Sequence, residues 1–196
     1  MTPSDLAGVI EFLRGAERLK TVLRSGHLSD GTRESTAEHT WRLCLMAVVL
    51  ADAFPDADPA RLLAMCVVHD LGEALGGDVP APQQVGEPAK ADRERADLLR
   101  LLAPLPDRLR AKLLGLWDEY EAAATPEAVA AKGLDKLETI LQHVQGQNPP
   151  DFDYRFNLGY GRRYTDAHPL LAAVRELLDR ETEARADGEP RPQGSG

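Results

Sequence analysis

Apolar residues recur at three- and four-residue intervals along most of the chain, the period of an amphipathic helix. Leu6, Val9, Ile10, Leu13, Leu19, Val22 and Leu23 mark the first stripe, with Gly8 and Gly15 as weak points in it. A loop is expected over about residues 25–32. Ser35 and Glu38 then form a capping-box pair ahead of a stripe through His39, Leu43, Met46 and Leu50. Asp58 caps the next helix and Pro59 takes its first position. That helix should run on to Gly76 and Gly77. A proline-containing loop, DVPAPQQVGEP, follows, and then helices over about residues 88–103 and 106–123. Thr125 and Pro126 open another, which carries Val129, Leu134, Leu137, Leu141 and Val144. The polar run GQNPPDFDYRFNLGYGRRYTD separates it from a last helix near residues 168–184. No segment shows the alternation of a half-buried strand. The expected fold is all-α, a single-domain bundle of about six or seven helices over residues 1–184, with 185–196 as a disordered tail.

The formal charge of −9 narrows the partners. Such a protein repels nucleic acid polymers and anionic membranes, so a phosphate compound needs a local positive centre. No apolar run is long enough to span a bilayer or resembles a signal peptide, and a cytoplasmic location is the default. Cys44 and Cys66 lie in apolar runs and read as buried, reduced thiols.

The segment CVVHDLGEALGGDVP changes the picture. An apolar run is interrupted by His69 and Asp70, followed by Glu73 and, past two glycines, Asp78. His39 sits on the inward stripe of an earlier helix, and Asp135 borders the inward face of a later one. Buried carboxylates without partners are costly. A divalent cation would let two imidazoles and two carboxylates coexist, and these donor types suit Zn, Mn, Fe, Co or Ni. The sequence alone does not establish that the three helices meet.

The ordered set EHTW, HDLGEALGGDVP and KGLDKLETILQ, with RLKTVLR ahead of it, resembles the HD-domain phosphohydrolases, and most of all the 5′-deoxynucleotidase branch. The resemblance spans about residues 11–143. It implies that His39, His69, Asp70 and Asp135 bind one divalent metal ion (Mn, Co, Ni, Fe, Mg or Zn). It implies that Glu73 and Asp78 do acid–base or water-orienting work, and that Arg24 holds the phosphate. Chemistry alone leaves other roles open: Glu73 could only orient His69, Asp78 could be a turn residue, and Arg24 could be a solvated arginine at a helix end. Ser25 departs from the pattern, because that branch often carries an aromatic there, near the sugar. A small residue leaves room for a 2′-hydroxyl.

The implied activity is phosphate release from nucleoside 5′-monophosphates, deoxyribonucleotides among them, or from a related small phosphomonoester. The alternatives are an HD-type phosphodiesterase with two metals and a non-catalytic metal-binding module. No histidine lies between Asp70 and Asp135, which argues against two metals. Arg33 and Arg42 are secondary phosphate candidates, each able instead to pair with Glu34 or Glu38. Trp41 and Trp117 read as core or interface aromatics. Apolar surface after Glu87 and around Trp117 points to a homodimer. Of the remaining histidines, His27, His143 and His168, none is expected to bind metal.

Overall fold

The structure of the protein, a computed structural model, describes residues 1–79 and 90–188. Most of the DVPAPQQVGEP loop and the final residues of the expected tail lie outside these. The elements are α1 (Pro3–Ala16), β1 (Leu23–His27), β2 (Arg33–Ser35), α2 (Thr36–Leu50), α3 (Pro59–Val68), α4 (Glu73–Gly76) and α5 (Lys90–Leu102). They continue with α6 (Asp107–Ala122), α7 (Pro126–Gln145), α8 (Phe156–Gly159), α9 (Arg162–Thr165) and α10 (Pro169–Ala186). Among the described residues the fold is all-α apart from one small hairpin. The last helix reaches two residues into the stretch read as tail.

The centre is α7, with 14 of its 20 residues buried. A helix buried almost all round belongs at the middle of a bundle. It packs against α2, α3, α6 and α10. Leu134, Leu137, Ile140 and Val144 meet a core that includes Leu43, Leu62, Met65 and Leu171, none more than 1% exposed. Local signals set the helix starts as expected. Thr125 Oγ1 accepts from Ala128 N at 3.3 Å, with Pro126 at the first position.

Three sequence expectations are corrected. The first stripe does not continue as a helix to Leu23. After Ala16 the chain makes a 3-10 turn over Glu17–Lys20, and β1 then pairs antiparallel with β2. Leu19, Val22 and Leu23 fit helical spacing, but pairing with a segment ten residues away wins over local propensity. Gly8 is a contact point rather than only a weak one, since a Cβ there would lie 2.1 Å from the Pro104 carbonyl oxygen.

The helix opened by Asp58 stops at Val68 instead of reaching Gly76. Leu71 N bonds back to Val68 O at 3.1 Å and Glu73 N to Asp70 O at 2.9 Å, so the chain tightens into three-residue turns. The short α4 then ends at Gly77, whose φ of 81° is cheap only for glycine.

The third correction concerns apolar surface. Trp117 is 3% exposed and belongs to the core, whereas Trp41 is 67% exposed. Leu45, Val48 and Val49 share exposure with Trp41 on α2, and Val67 is exposed on α3. Leu6, Ile10 and Leu13 are exposed on α1.

Candidate active site

The first site residue comes from the start of α2. Ser35 N donates to Glu38 Oε2 at 2.7 Å and Glu38 N donates to Ser35 Oγ at 3.3 Å. This reciprocal cap fixes where the helix begins, and so places His39, with no exposed surface, facing the core. The second pair comes from the break after α3. Adjacent residues of a continuous helix diverge by about 100°. The tight turn instead brings His69 and Asp70 to one point, with His69 Nε2 at 3.0 Å from Asp70 Oδ2. The fourth residue, Asp135, comes from the middle of α7.

These four side chains, predicted separately, converge. His39 Nε2 lies 3.2 Å from Asp135 Oδ1 and 3.8 Å from Asp70 Oδ2. His69 Nε2 lies 4.0 Å from Asp135 Oδ1. His39 Nε2, His69 Nε2 and Asp70 Oδ2 are buried and have no hydrogen-bond partner among the described residues. Three bare polar atoms at one point are expensive, and one cation would satisfy all three. The donor set, two imidazole nitrogens and two carboxylate oxygens, fits a divalent ion.

The other side of each group is held. His69 Nδ1 lies 2.8 Å from the Cys66 carbonyl oxygen, and His39 Nδ1 meets Glu138 Oε2. With a cation in place of the Nε2 proton, each Nδ1 would keep its proton on these acceptors and each Nε2 lone pair would face the cluster. Asp135 Oδ2 accepts from Tyr120 Oη at 2.7 Å and from Lys136 Nζ at 2.8 Å. Burial and Arg24 oppose protonation of His39, but Glu138 and Asp135 outweigh them and lift its pKa to about 10. Burial would raise both aspartates. His69, His39 and Arg24 instead hold Asp70 below the usual carboxylate range, and Lys136 with both histidines does the same for Asp135. The cluster therefore draws positive charge.

Arg24 reaches the cluster from β1, not from a helix end. It lies 3.5 Å from Asp70 and 3.4 Å from Glu34, and Nη2 donates to Thr139 Oγ1 at 3.0 Å. Burial disfavours its charge, yet Asp70, Asp78, Asp135 and Glu73 hold it firmly protonated. Glu73 is 3% exposed, and its Oε2 accepts from Thr36 Oγ1 at 3.3 Å. Burial, then Asp70 and Asp78, push its carboxyl well above the ordinary range. Arg24, Ser25, Glu73 and Asp78 line the same cavity of about 660 Å³ as His69, Asp70 and Asp135.

Arg33 and Arg42 are not on this cavity. Arg33 donates to the Arg24 carbonyl oxygen at 2.7 Å, and Arg42 Nε donates to Glu138 Oε1 at 2.7 Å. Glu34, His39 and Glu138 are also close enough to hold a cation. Arg24 and Arg42 already balance these carboxylates, so they form a support for His39 rather than a second centre. Tyr120, Glu138 and Lys136 escaped the sequence reading, and Glu34 entered it only as a partner for Arg33 or Arg42, where Arg42 indeed lies 3.9 Å away. Only the fold tells which carboxylates of α7 and β2 back onto a histidine of α2. His168 caps α10 through Nδ1 at 3.2 Å from Leu170 N.

A profile of the HD domain matches residues 16–175. The 5′-deoxynucleotidase HDDC2 of Mus musculus is 35% identical over 69% of this chain and 68% of its own length. The HDDC2 of Danio rerio is 32% identical over 68% of this chain and 67% of its own. In three dimensions the chain is similar to a predicted metal-dependent phosphohydrolase from Magnetospirillum magnetotacticum, with a TM-score of 0.79 and 32% identity. That alignment covers 95% of this chain and 97% of the other. No helix among the described residues is long and apolar enough to cross a membrane.

Proposed function

Since the chain belongs to the HD-domain family, we propose that it is a metal-dependent phosphohydrolase that releases phosphate from nucleoside 5′-monophosphates or a closely related small phosphomonoester. One observation carries this reading. Three buried, unpartnered ligand atoms face one another, and two of them belong to residues that line a cavity with Arg24 and Glu73.

His39, His69, Asp70 and Asp135 would hold the divalent ion. Their nitrogen and oxygen donors suit Mn, Fe, Co, Ni or Zn better than Mg. When bound, it supplies Lewis acidity, which polarises a phosphoryl oxygen and acidifies water. The chain's own residues do the rest. Arg24 donates to the phosphate and offsets the charge that grows on it. Glu73 stays protonated and gives its proton to the leaving alkoxide oxygen as the P–O bond breaks. Asp78, on the same cavity, takes a proton from the attacking water as the new O–P bond forms. Tyr120 and Lys136 fix the angle of Asp135. We place the enzyme in the cytoplasm as a homodimer, with the apolar side chains of α2 as the contact. Light scattering that finds only monomer at micromolar concentration refutes the dimer.

The test of function is direct. The protein is stripped of metal, reloaded with each ion in turn, and assayed for phosphate release from a nucleotide panel. Release with at least one ion is the expected result. Metal uptake without release from any substrate would make the protein a non-catalytic module.

A further inference from the structure

Resting on the nucleotidase reading above, we propose that His143 reads the base of the substrate, that Phe152 flanks the base, and that Asn157 positions the imidazole. The argument begins with α7. Asp135, Thr139 and His143 follow one another at four-residue intervals, and all three line the same cavity. Eight helical residues cover about 12 Å. At one end is the histidine–aspartate cluster. In the middle, Thr139 anchors Arg24. His143 stands at the other end, a separation close to the length of one mononucleotide from its phosphate to the far edge of its base.

That far end differs in character from the cluster. Phe152 and Phe156 line it, and Phe152 meets the His143 ring edge-on with centroids 4.8 Å apart. His143 Nδ1 lies 3.0 Å from Asn157 Oδ1, so Nδ1 carries the proton and Nε2 is left as an acceptor. Asn157 has no exposed surface, and its backbone carbonyl oxygen accepts from the almost fully buried Arg175, which fixes the main chain that carries the amide. Burial outweighs the Asn157 contact and pushes the His143 pKa down to about 4, which keeps the ring uncharged near neutral pH. An aromatic wall with a neutral acceptor, flanked by Asp151 and Asp153 on the same cavity, is a poor site for a second phosphate or a carboxylate. It fits a planar, uncharged heterocycle that carries an N–H donor, which describes a nucleobase.

The experiment compares kcat/KM for deoxythymidine 5′-monophosphate, deoxyadenosine 5′-monophosphate and 2-deoxyribose 5-phosphate, which has no base. Wild-type enzyme should prefer the nucleotides. His143→Asn keeps a group near Nδ1 and removes Nε2, and it should lower the nucleotide-to-sugar ratio by about tenfold, mainly through KM. His143→Gln, which restores an amide near Nε2, should recover part of the ratio. Phe152→Leu reports on the same end from a half-buried position if the His143 variants do not fold. A ratio that stays at the wild-type value in the folded variants overturns the base-reading role and leaves the nucleotidase reading intact. Wild-type enzyme that cleaves the sugar phosphate but no nucleotide overturns both.

Discussion

Tyr120 donates a 2.7 Å hydrogen bond to Oδ2 of Asp135, the oxygen that does not face the two histidines. The phenol is fully buried, and burial together with Asp135 and Asp70 pushes its pKa well up, so it remains a donor at any physiological pH. Lys136 bonds the same oxygen, so Asp135 keeps one partner if the other is lost.

Tyr120→Phe should therefore weaken the hold on a divalent ion by about tenfold without unfolding the protein. Metal titration by calorimetry checks the first part and circular dichroism the second. Unchanged affinity would show that Lys136 alone orients the carboxylate.

Glu73→Gln should cut kcat by about a hundredfold or more while metal content stays the same. In the proposed role the acid form does the work, so the wild-type rate should fall as pH rises through the elevated pKa of Glu73. The residual activity of the glutamine variant should lack that limb. A variant with the wild-type profile would take Glu73 out of proton transfer.

Glu34 gives a stability test. Burial, then Glu138, raise its pKa from 4.5 to about 7, despite Arg24 and Arg42. Between those values the unfolded chain has lost a proton that the folded protein keeps. Its contribution is thus full below pH 4.5 and is lost as pH climbs through about 7. The slope is at most about 1.4 kcal/mol per pH unit. Denaturant midpoints at several pH values should fall more steeply for wild type than for Glu34→Gln. Parallel curves would contradict the raised pKa.

Arg175 is 1% exposed on α10 and holds the wall of the cavity. Its guanidinium donates to the carbonyl oxygens of Tyr160 and Asn157 and to Asp179. Arg175→Met would strand these acceptors and should cost about 3 kcal/mol or more in urea unfolding. A cost below 1 kcal/mol, on the order of one ordinary hydrogen bond, would mean that the wall is held by packing alone.

Ser25 lines the cavity next to Arg24, and its small side chain leaves space there. Ribonucleotides and deoxyribonucleotides should be hydrolysed within about threefold of each other. Ser25→Tyr should shift the ratio of kcat/KM toward deoxyribonucleotides by about tenfold. A wild-type enzyme that already rejects ribonucleotides would place sugar selection elsewhere.

Much of this was legible in the chain because it is local. Ser35 with Glu38, Asp58 with Pro59 and Thr125 with Pro126 mark helix starts by contacts within three residues. His39, His69, Asp70 and Asp135 stood out as polar groups on apolar faces, where some compensation is obligatory. The hairpin did not stand out. Its strands, LRSGH and RES, carry no alternation, and β1 owes its form to a partner further along the chain. The supports of the cluster were hidden for a similar reason. Glu138 is one of many carboxylates in the sequence until α7 lies against α2. The break after Val68 was invisible because an apolar run spells a helix whether or not the chain turns within it.

Arg24 already touches an aspartate in the resting protein. An arriving anion must compete with that resident carboxylate, and a departing one leaves the guanidinium somewhere to return. If Arg24 holds the phosphate as proposed, such an arrangement would lower the grip on inorganic phosphate after cleavage, when tight retention would stall the next cycle. The enzyme would then give up some affinity at the start of turnover and gain a quick release at its end.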